Sequence, residues 1–107
     1  MSEPVVVYFP VPAERTRVAS VVRELALSLT LCATRLEVMT ALSAVPVAVV
    51  VLAMRDEAGR PTAPLIRRVH HQFPDVAIVT CGPLTPAFVR DVVRAAQLGL
   101  TAVALNG

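Results

Sequence analysis

The chain has no lysine and no tryptophan, and aromatic residues make up only 4% of its 107 positions. Because large aromatic side chains are scarce, the core has to be aliphatic and built from Val, Leu and Ala. The ten basic side chains other than His are all arginine, and they are scattered along a chain whose net charge is only +2. Nucleic-acid binding favours basic residues gathered in one stripe, so we expect no direct nucleic-acid partner.

Long apolar runs and a cysteine framework are missing as well. The longest apolar run, Val45 to Met54, has the length of a strand and falls far short of the roughly 20 residues that a membrane span needs. The N-terminal MSEP has no basic flank leading into an apolar region, so no secretory signal is predicted. Cys32 and Cys81 are interpreted as buried thiols of a reduced, cytoplasmic protein. We expect no membrane partner. The length predicts a single domain over residues 1–107.

Short apolar runs alternate along the chain with stretches of helical periodicity. Helices are predicted to begin near Ala13, Arg35, Thr62 and Thr85, and strands are predicted over Val5–Phe9, Leu27–Cys32, Val45–Ala53, Val76–Thr80 and Thr101–Leu105. Alternation with short connections predicts parallel strands joined by right-handed crossovers. The expected fold class is therefore α/β, a doubly wound, five-stranded parallel sheet.

Three of these segments carry sharper expectations. Val45–Ala53 is apolar on both faces, which is typical of a central strand covered on both sides. Leu27–Cys32 alternates apolar and polar residues, which predicts an edge strand. Thr34 and Glu37 form a capping-box pattern at the start of the second helix. In the first helix, apolar residues at helical spacing predict the buried stripe Val18, Val21, Val22 and Leu25.

Ordinary catalytic and metal-binding patterns are not found. The four glycines are isolated, so no glycine-rich loop is available to hold a phosphate. His70 and His71 are adjacent on a predicted helix and point in different directions, and neither cysteine has a neighbouring base. Asp56 and Glu57 are interpreted as a solvated pair in a loop. We therefore expect no enzymatic activity, no cofactor and no bound metal.

The order of the elements and several spaced residues resemble the receiver domain of two-component response regulators, over nearly the whole chain. Phe9 and Pro10 follow the first strand, where the family has a pair of Asp residues. The segment VLAMRDEAG places Val51 at the phosphoacceptor position, with Met54 and Gly59 at the family's Met and Gly positions. The resemblance implies the strand order 2-1-3-4-5, with the last helix of the family absent.

Two more positions of the phosphorylation pocket follow from the resemblance. Thr80 ends the fourth strand like the switch Thr or Ser of the family, and Asn106 stands where the family has Lys. In receivers the three acids hold Mg²⁺ and the Lys contacts the phosphoryl group. Val51, Phe9 and Pro10 carry no carboxylate, and the chain contains no Lys. The resemblance therefore implies a degenerate pseudo-receiver that cannot be phosphorylated.

Two functions of different classes remain open. The first is a regulatory or oligomerisation module in signal transduction, the N-terminal part of a transcriptional regulator whose DNA-binding domain lies outside this chain. The alternative is a small-molecule sensor that binds an apolar ligand at the carboxyl ends of the strands. That rim would be lined by Phe9, Pro10, Val51, Ala53, Thr80 and Asn106. A packed rim favours the module, and a deep empty pocket favours the sensor.

A homodimer is the expected partner. In receivers a fifth helix covers one face of the sheet beside the first helix, and the sequence ends before such a helix. The exposed apolar face would be buried in a two-fold dimer. A second copy could instead pack on the fourth helix and fifth strand, around Val89, Val93, Val103 and Leu105.

Overall fold

The computed structural model describes residues 4–24, 28–83 and 85–106. The strands are β1 (Pro4–Tyr8), β2 (Ser28–Cys32), β3 (Val49–Leu52), β4 (Ala77–Pro83) and β5 (Ala102–Asn106). The helices are α1 (Pro12–Glu24), α2 (Arg35–Ala44), α3 (Ala63–Gln72) and α4 (Pro86–Ala96). Within these ranges no helix combines the length and the apolar character needed to cross a membrane.

The strands pair in parallel in the order β2-β1-β3-β4-β5. The prediction of an α/β fold with a parallel sheet is confirmed, as is the order of the first four strands. Among the described strands β2 pairs with β1 alone, so its prediction as an edge strand is also correct. β5 continues the sheet beyond β4, with Thr80 opposite Val103 and Gly82 opposite Leu105.

Helices cover the two faces of the sheet unequally. On one face α2, α3 and α4 enclose the larger core, which includes the fully buried Val50 and Leu52 of β3. On the other face α1 contributes Val22 to a smaller cluster, where Val49 and Val51 are only half-buried. The cover predicted for both faces of β3 is therefore incomplete on the α1 face of the described structure.

The start of β3 and the end of β4 differ most from the predicted strand ends. β3 begins at Val49, since Val45 caps α2 with its N–H bonded to the carbonyl of Ala41 at 3.4 Å and is 51% exposed. β4 runs on through Cys81 to Pro83, beyond its predicted end at Thr80, because β5 supplies backbone partners along this segment.

The stripe predicted for α1 is partly wrong. Val22 is buried and Val18 half-buried, but Val21 is 56% exposed and the unpredicted Ala19 is fully buried. At about 100° per residue, Val22 lies between Val18 and Ala19 on the inner face, while Val21 lies beyond Val18 on the flank of that face. The fourth member of the stripe, Leu25, and the first residue of the predicted second strand, Leu27, lie outside the described residues.

Helix starts were predicted more accurately. The hydroxyl of Thr34 accepts a hydrogen bond from the Glu37 N–H at 3.2 Å, and the Glu37 carboxylate accepts one from the Ala33 N–H at 3.1 Å. Thr85 caps α4 in the same way, accepting from the Phe88 N–H at 3.2 Å. These bonds satisfy backbone donors that the first turn of a helix leaves free, which explains why the two helices begin where they do.

Candidate functional site

The carboxyl ends of β1, β3 and β4 form the rim at which ligands bind in open α/β sheets. Tyr8 lies opposite Leu52, and Leu52 lies opposite Thr80. The next row across the sheet consists of Phe9, Ala53 and Cys81, and the Ala53 N–H continues the ladder by donating to the Tyr8 carbonyl at 2.9 Å. We call these three residues the rim row. None of them carries a carboxylate.

Val51 lies one step inside the sheet from the rim row on the same face. It pairs with Val7 on one side and Val79 on the other, and it is half-buried. The register therefore brings Ala53, two residues further along the chain, beside Phe9. The assignment of Val51 to the phosphoacceptor position stays a prediction from motif spacing. Both positions are apolar, so the chemistry of the rim is the same with either assignment.

Aromatic side chains fill much of the space above the rim row. A cavity of about 250 Å³ remains there, smaller than the roughly 300–1,000 Å³ of pockets for drug-sized ligands. Phe9 is 2% exposed and Phe88, from α4, is 9% exposed. The ring of Phe88 packs on Gly82, where an added Cβ would come within 2.5 Å of a ring carbon. Because Gly82 has no side chain, the Phe88 ring of α4 can pack directly on its backbone at the rim.

An ion pair lies beside this cavity. Arg55, in the loop after β3, donates to both carboxylate oxygens of Asp91 on α4, at 3.1 Å each. This bidentate geometry holds the loop against the helix and engages the Asp91 carboxylate. Glu14 of α1, which is half-buried, also lines the cavity. The rim therefore has charged groups around its edge while its floor is apolar.

Thr80 and Asn106 do not complete a phosphate-binding set in the described structure. Thr80 is fully buried, and its hydroxyl donates to the Leu52 carbonyl at 2.7 Å. This places the hydroxyl within the core on the face of α2, α3 and α4. Asn106 pairs with Pro83 through the strand register. The side chain predicted for the Lys position lies outside the described residues.

Asp56 is not the solvated loop acid that the sequence suggested. It is 6% exposed, and one carboxylate oxygen accepts hydrogen bonds from the N–H groups of Ala58 and Arg60, each at 2.9 Å. The other oxygen lies 3.4 Å from the Arg35 guanidinium. Gly59, at φ 77°, closes the turn with its N–H bonded to the Asp56 carbonyl at 2.9 Å. Asp56 is thus committed to the loop and is not free to hold a ligand.

Glu57 joins the loop to β1 and α2. Its carboxylate accepts a hydrogen bond from the Tyr8 hydroxyl and one from the Arg35 side chain, the latter at 3.0 Å. Burial acts to raise the pKa of Glu57, but these hydrogen bonds outweigh it and lower the pKa to about 2. Burial and the adjacent Glu57 carboxylate raise the pKa of Tyr8, which stays neutral at ordinary pH.

The two cysteines are poor nucleophiles. Burial raises the pKa of Cys32 to about 11, and it also raises the pKa of Cys81 in the rim row. Both thiols are therefore protonated at neutral pH, which is unfavourable for covalent catalysis. This agrees with their interpretation as structural thiols.

The residues predicted as an interface occupy the α4–β5 edge. Val89 and Val93, one turn apart on α4, are 41% and 58% exposed. Val103 and Leu105 lie in β5, next to β4 in the sheet, and their side chains are outside the described residues. The α4 half of the predicted patch is therefore accessible. The prediction that it is an interface is not tested by these exposures.

No protein-family model and no curated protein matches the sequence. Solved structures do match. The signal receiver domain of an HD domain-containing protein from Pseudomonas fluorescens Pf-5 aligns with a TM-score of 0.84 and 14% identity, covering 97% of this chain and 75% of that one. The beryllofluoride-activated NtrC4 receiver domain dimer aligns with a TM-score of 0.80 and 15% identity, covering 97% of this chain and 84% of that one. NtrX from Brucella abortus aligns with a TM-score of 0.87 and 15% identity, covering 100% of this chain and 24% of that one.

These neighbours define the fold as that of response-regulator receiver domains. At 14 to 15% identity the likeness establishes the fold alone. The Mg²⁺ that the receiver resemblance implies does not fit the residues present, because the rim row offers no carboxylate ligands. Across residues 4–24, 28–83 and 85–106, no three His, Cys, Asp or Glu side chains cluster closely enough to hold a metal ion.

Sequence reasoning missed the polar network of the loop after β3. One signal was present: Asp56 followed three residues later by Gly59 is the pattern of a type I turn, in which the Asp side chain bonds the backbone. The pairing of Arg55 with Asp91 had no local signal. The two residues are 36 positions apart, and only the packing of α4 brings them together.

Proposed function

We propose that this chain is a receiver-like regulatory or oligomerisation module that works without phosphorylation or Mg²⁺. The observation that carries the proposal is the rim row of Phe9, Ala53 and Cys81, which stands at the strand ends where a receiver needs carboxylates. A phosphorylation site needs an acceptor carboxylate, acids to hold Mg²⁺ and a cation for the phosphoryl group. The chain supplies no Lys anywhere, and Arg55, the arginine beside the cavity, is engaged by Asp91.

The packing of the rim favours this module over the small-molecule sensor. Phe9 and Phe88 occupy the space in which an apolar ligand would have to sit, and the remaining cavity of about 250 Å³ is small. The buried hydroxyl of Thr80 is already bonded to a backbone carbonyl. Few hydrogen-bonding groups are therefore left to orient a ligand.

The module belongs, on this proposal, to a cytoplasmic transcriptional regulator with a DNA-binding domain outside this chain. NtrX, of which this chain spans 24%, and the NtrC4 receiver dimer provide the analogy. The analogy is one of fold, and it extends to partners only as part of the proposal.

Intact-mass analysis after incubation with acetyl phosphate and Mg²⁺ tests the absence of phosphorylation. We expect the mass to stay unchanged, while a phosphorylatable receiver in a parallel reaction gains an acid-labile phosphoryl group. Such a group on this chain would refute the pseudo-receiver function.

A further inference from the structure

A second concave surface, separate from the rim cavity, lies on the side of the sheet that α2, α3 and α4 cover. It is a groove of about 1,020 Å³ that runs from the first turns of α2, across the start of α3, to the end of α4. It shares no lining residue with the rim cavity. We call it the α3 groove.

The α3 groove has an aliphatic lining. Leu36 projects from the first turn of α2 and is 76% exposed, the highest value among the large apolar side chains of the described residues. Met39 and Leu98 are half-buried, and Leu65 is buried. An accessible leucine beside further apolar surface in a concavity is the arrangement that takes up apolar anchors of a partner.

The charge around this lining is positive. Besides Arg35, four exposed arginines line the groove, namely Arg60, Arg67, Arg68 and Arg94. None of them lies within ion-pair distance of an acidic side chain in the described parts of the chain. The acids in the groove, Asp56 and Glu57, are already bonded to Arg35, to Tyr8 and to the backbone. The charge left to attract a partner is therefore that of the four arginines.

We propose that the α3 groove binds an acidic amphipathic helical segment of a partner protein. The leucine-type anchors of the segment would pack on Leu36, Met39 and Leu98, and its carboxylates would meet the unpaired arginines. This is the helix-in-groove mode of recognition, in which anchors recur at i, i+3, i+4 and i+7. Charge complementarity would fix the orientation and accelerate the encounter.

Two other occupants fit the groove less well. Single-stranded nucleic acid binds best where aromatic side chains stack on the bases, and the lining of this groove has no aromatic residue. A helix from a second copy lacks the required charge: α1, α3 and α4 are net positive and α2 is neutral. A separate acidic partner is the occupant that the groove favours.

Fluorescence anisotropy with a labelled synthetic peptide tests the proposal on the whole chain. The probe has about 18 residues, with Leu at i, i+3, i+4 and i+7 and Glu on its remaining faces. One control peptide has the same composition with the apolar stripe broken, and another has Gln in place of every Glu. We expect saturable binding of the probe and binding weaker by at least about tenfold for both controls.

Protein variants locate the binding. Leu36→Ser, and separately Arg67→Gln combined with Arg94→Gln, should each weaken binding by about tenfold or more. Matched controls outside the groove are Val21→Ser, another exposed apolar residue, and Arg90→Gln, another exposed arginine of α4. These controls should change affinity by less than about twofold. All the altered side chains are exposed, so thermal melting of each variant should stay close to that of the parent.

Three outcomes would overturn the proposal. The first is an absence of saturable binding, and the second is an equal loss of affinity in the groove variants and their matched controls. The third is a single-stranded DNA of similar length that binds as tightly as the peptide and is insensitive to Leu36→Ser. That result would identify a non-specific anion surface.

Discussion

The side chains of the rim row, Phe9, Ala53 and Cys81, offer no carboxylate oxygen for a metal ion or a phosphoryl group. Burial of an unpaired carboxylate costs several kcal/mol or forces its protonation. Apolar side chains at this depth avoid that cost and stabilise the fold by packing. Motif spacing places the apolar Val51 at the phosphoacceptor position, and the strand register places another apolar residue, Ala53, beside Phe9. Counting residues along the chain cannot reveal strand register, which depends on how β3 pairs with β1 and β4.

The low pKa of Glu57 predicts acid sensitivity. Its folded pKa of about 2 lies below its ordinary value of 4.5, so its ionisation stabilises the fold above about pH 4.5. That contribution is lost as the pH falls from 4.5 towards 2. Glu57→Gln should therefore be less stable than the parent at neutral pH, and the gap should shrink through this window. Urea denaturation of both proteins at several pH values measures this difference in the free energy of unfolding.

Glu24→Gln, at the exposed end of α1, serves as the control for the acid experiment. It should follow the pH dependence of the parent protein. A gap between Glu57→Gln and the parent that stays constant from neutral pH to pH 3 would contradict the bonding of Glu57 to Tyr8 and Arg35.

Among the secondary-structure elements, helix starts were more predictable than strand ends. The caps of α2 and α4 depend on local bonds from Thr34 and Thr85 to residues three positions away, and sequence spacing records such bonds. Thr62 also precedes a helix, but its hydroxyl donates to the Ala53 carbonyl at 2.7 Å and does not cap α3. The end of β4 depends on β5, about 20 residues away along the chain, and no local pattern records that pairing.

The cap of α2 gives a prediction at this scale. Thr34→Ala removes the acceptor for the Glu37 N–H and should cost about 1 kcal/mol, which lowers the melting temperature by roughly 5 °C. Thr40→Ala, on the exposed side of the same helix, removes no cap and should leave the melting temperature unchanged or slightly higher. Thermal unfolding by circular dichroism compares the two. Equal losses would show that the cap contributes nothing particular.

At the scale of the whole molecule, helices cover one face of the sheet more completely than the other. The α1 face has half-buried Val49, Val51 and Val79 in neighbouring strands. Covering this face in an assembly would contribute about 25 cal/mol for each Å² of apolar surface buried, before association costs. This is the physical basis for proposing an oligomerisation module, and the α3 groove on the opposite face stays accessible in such an assembly.

We predict a dimer at micromolar concentration, measured by light scattering coupled to size exclusion. Val51→Asp should dissociate a dimer formed through the α1 face. Val89→Ser combined with Val93→Ser should dissociate one formed through α4, where both side chains are exposed. A parent protein that runs as a monomer throughout this range would contradict the oligomerisation part of the proposed function.

We propose that the rim binds neither Mg²⁺ nor a phosphoryl group, and amide NMR tests this proposal most directly. Mg²⁺ and beryllium fluoride, which mimics a bound phosphoryl group, are titrated into the labelled protein while the amide signals of Ala53, Thr80 and Gly82 are followed. We predict that these signals stay in place at millimolar Mg²⁺, because the rim row has no carboxylate to hold either ligand. Saturable shifts at these three amides would contradict the account.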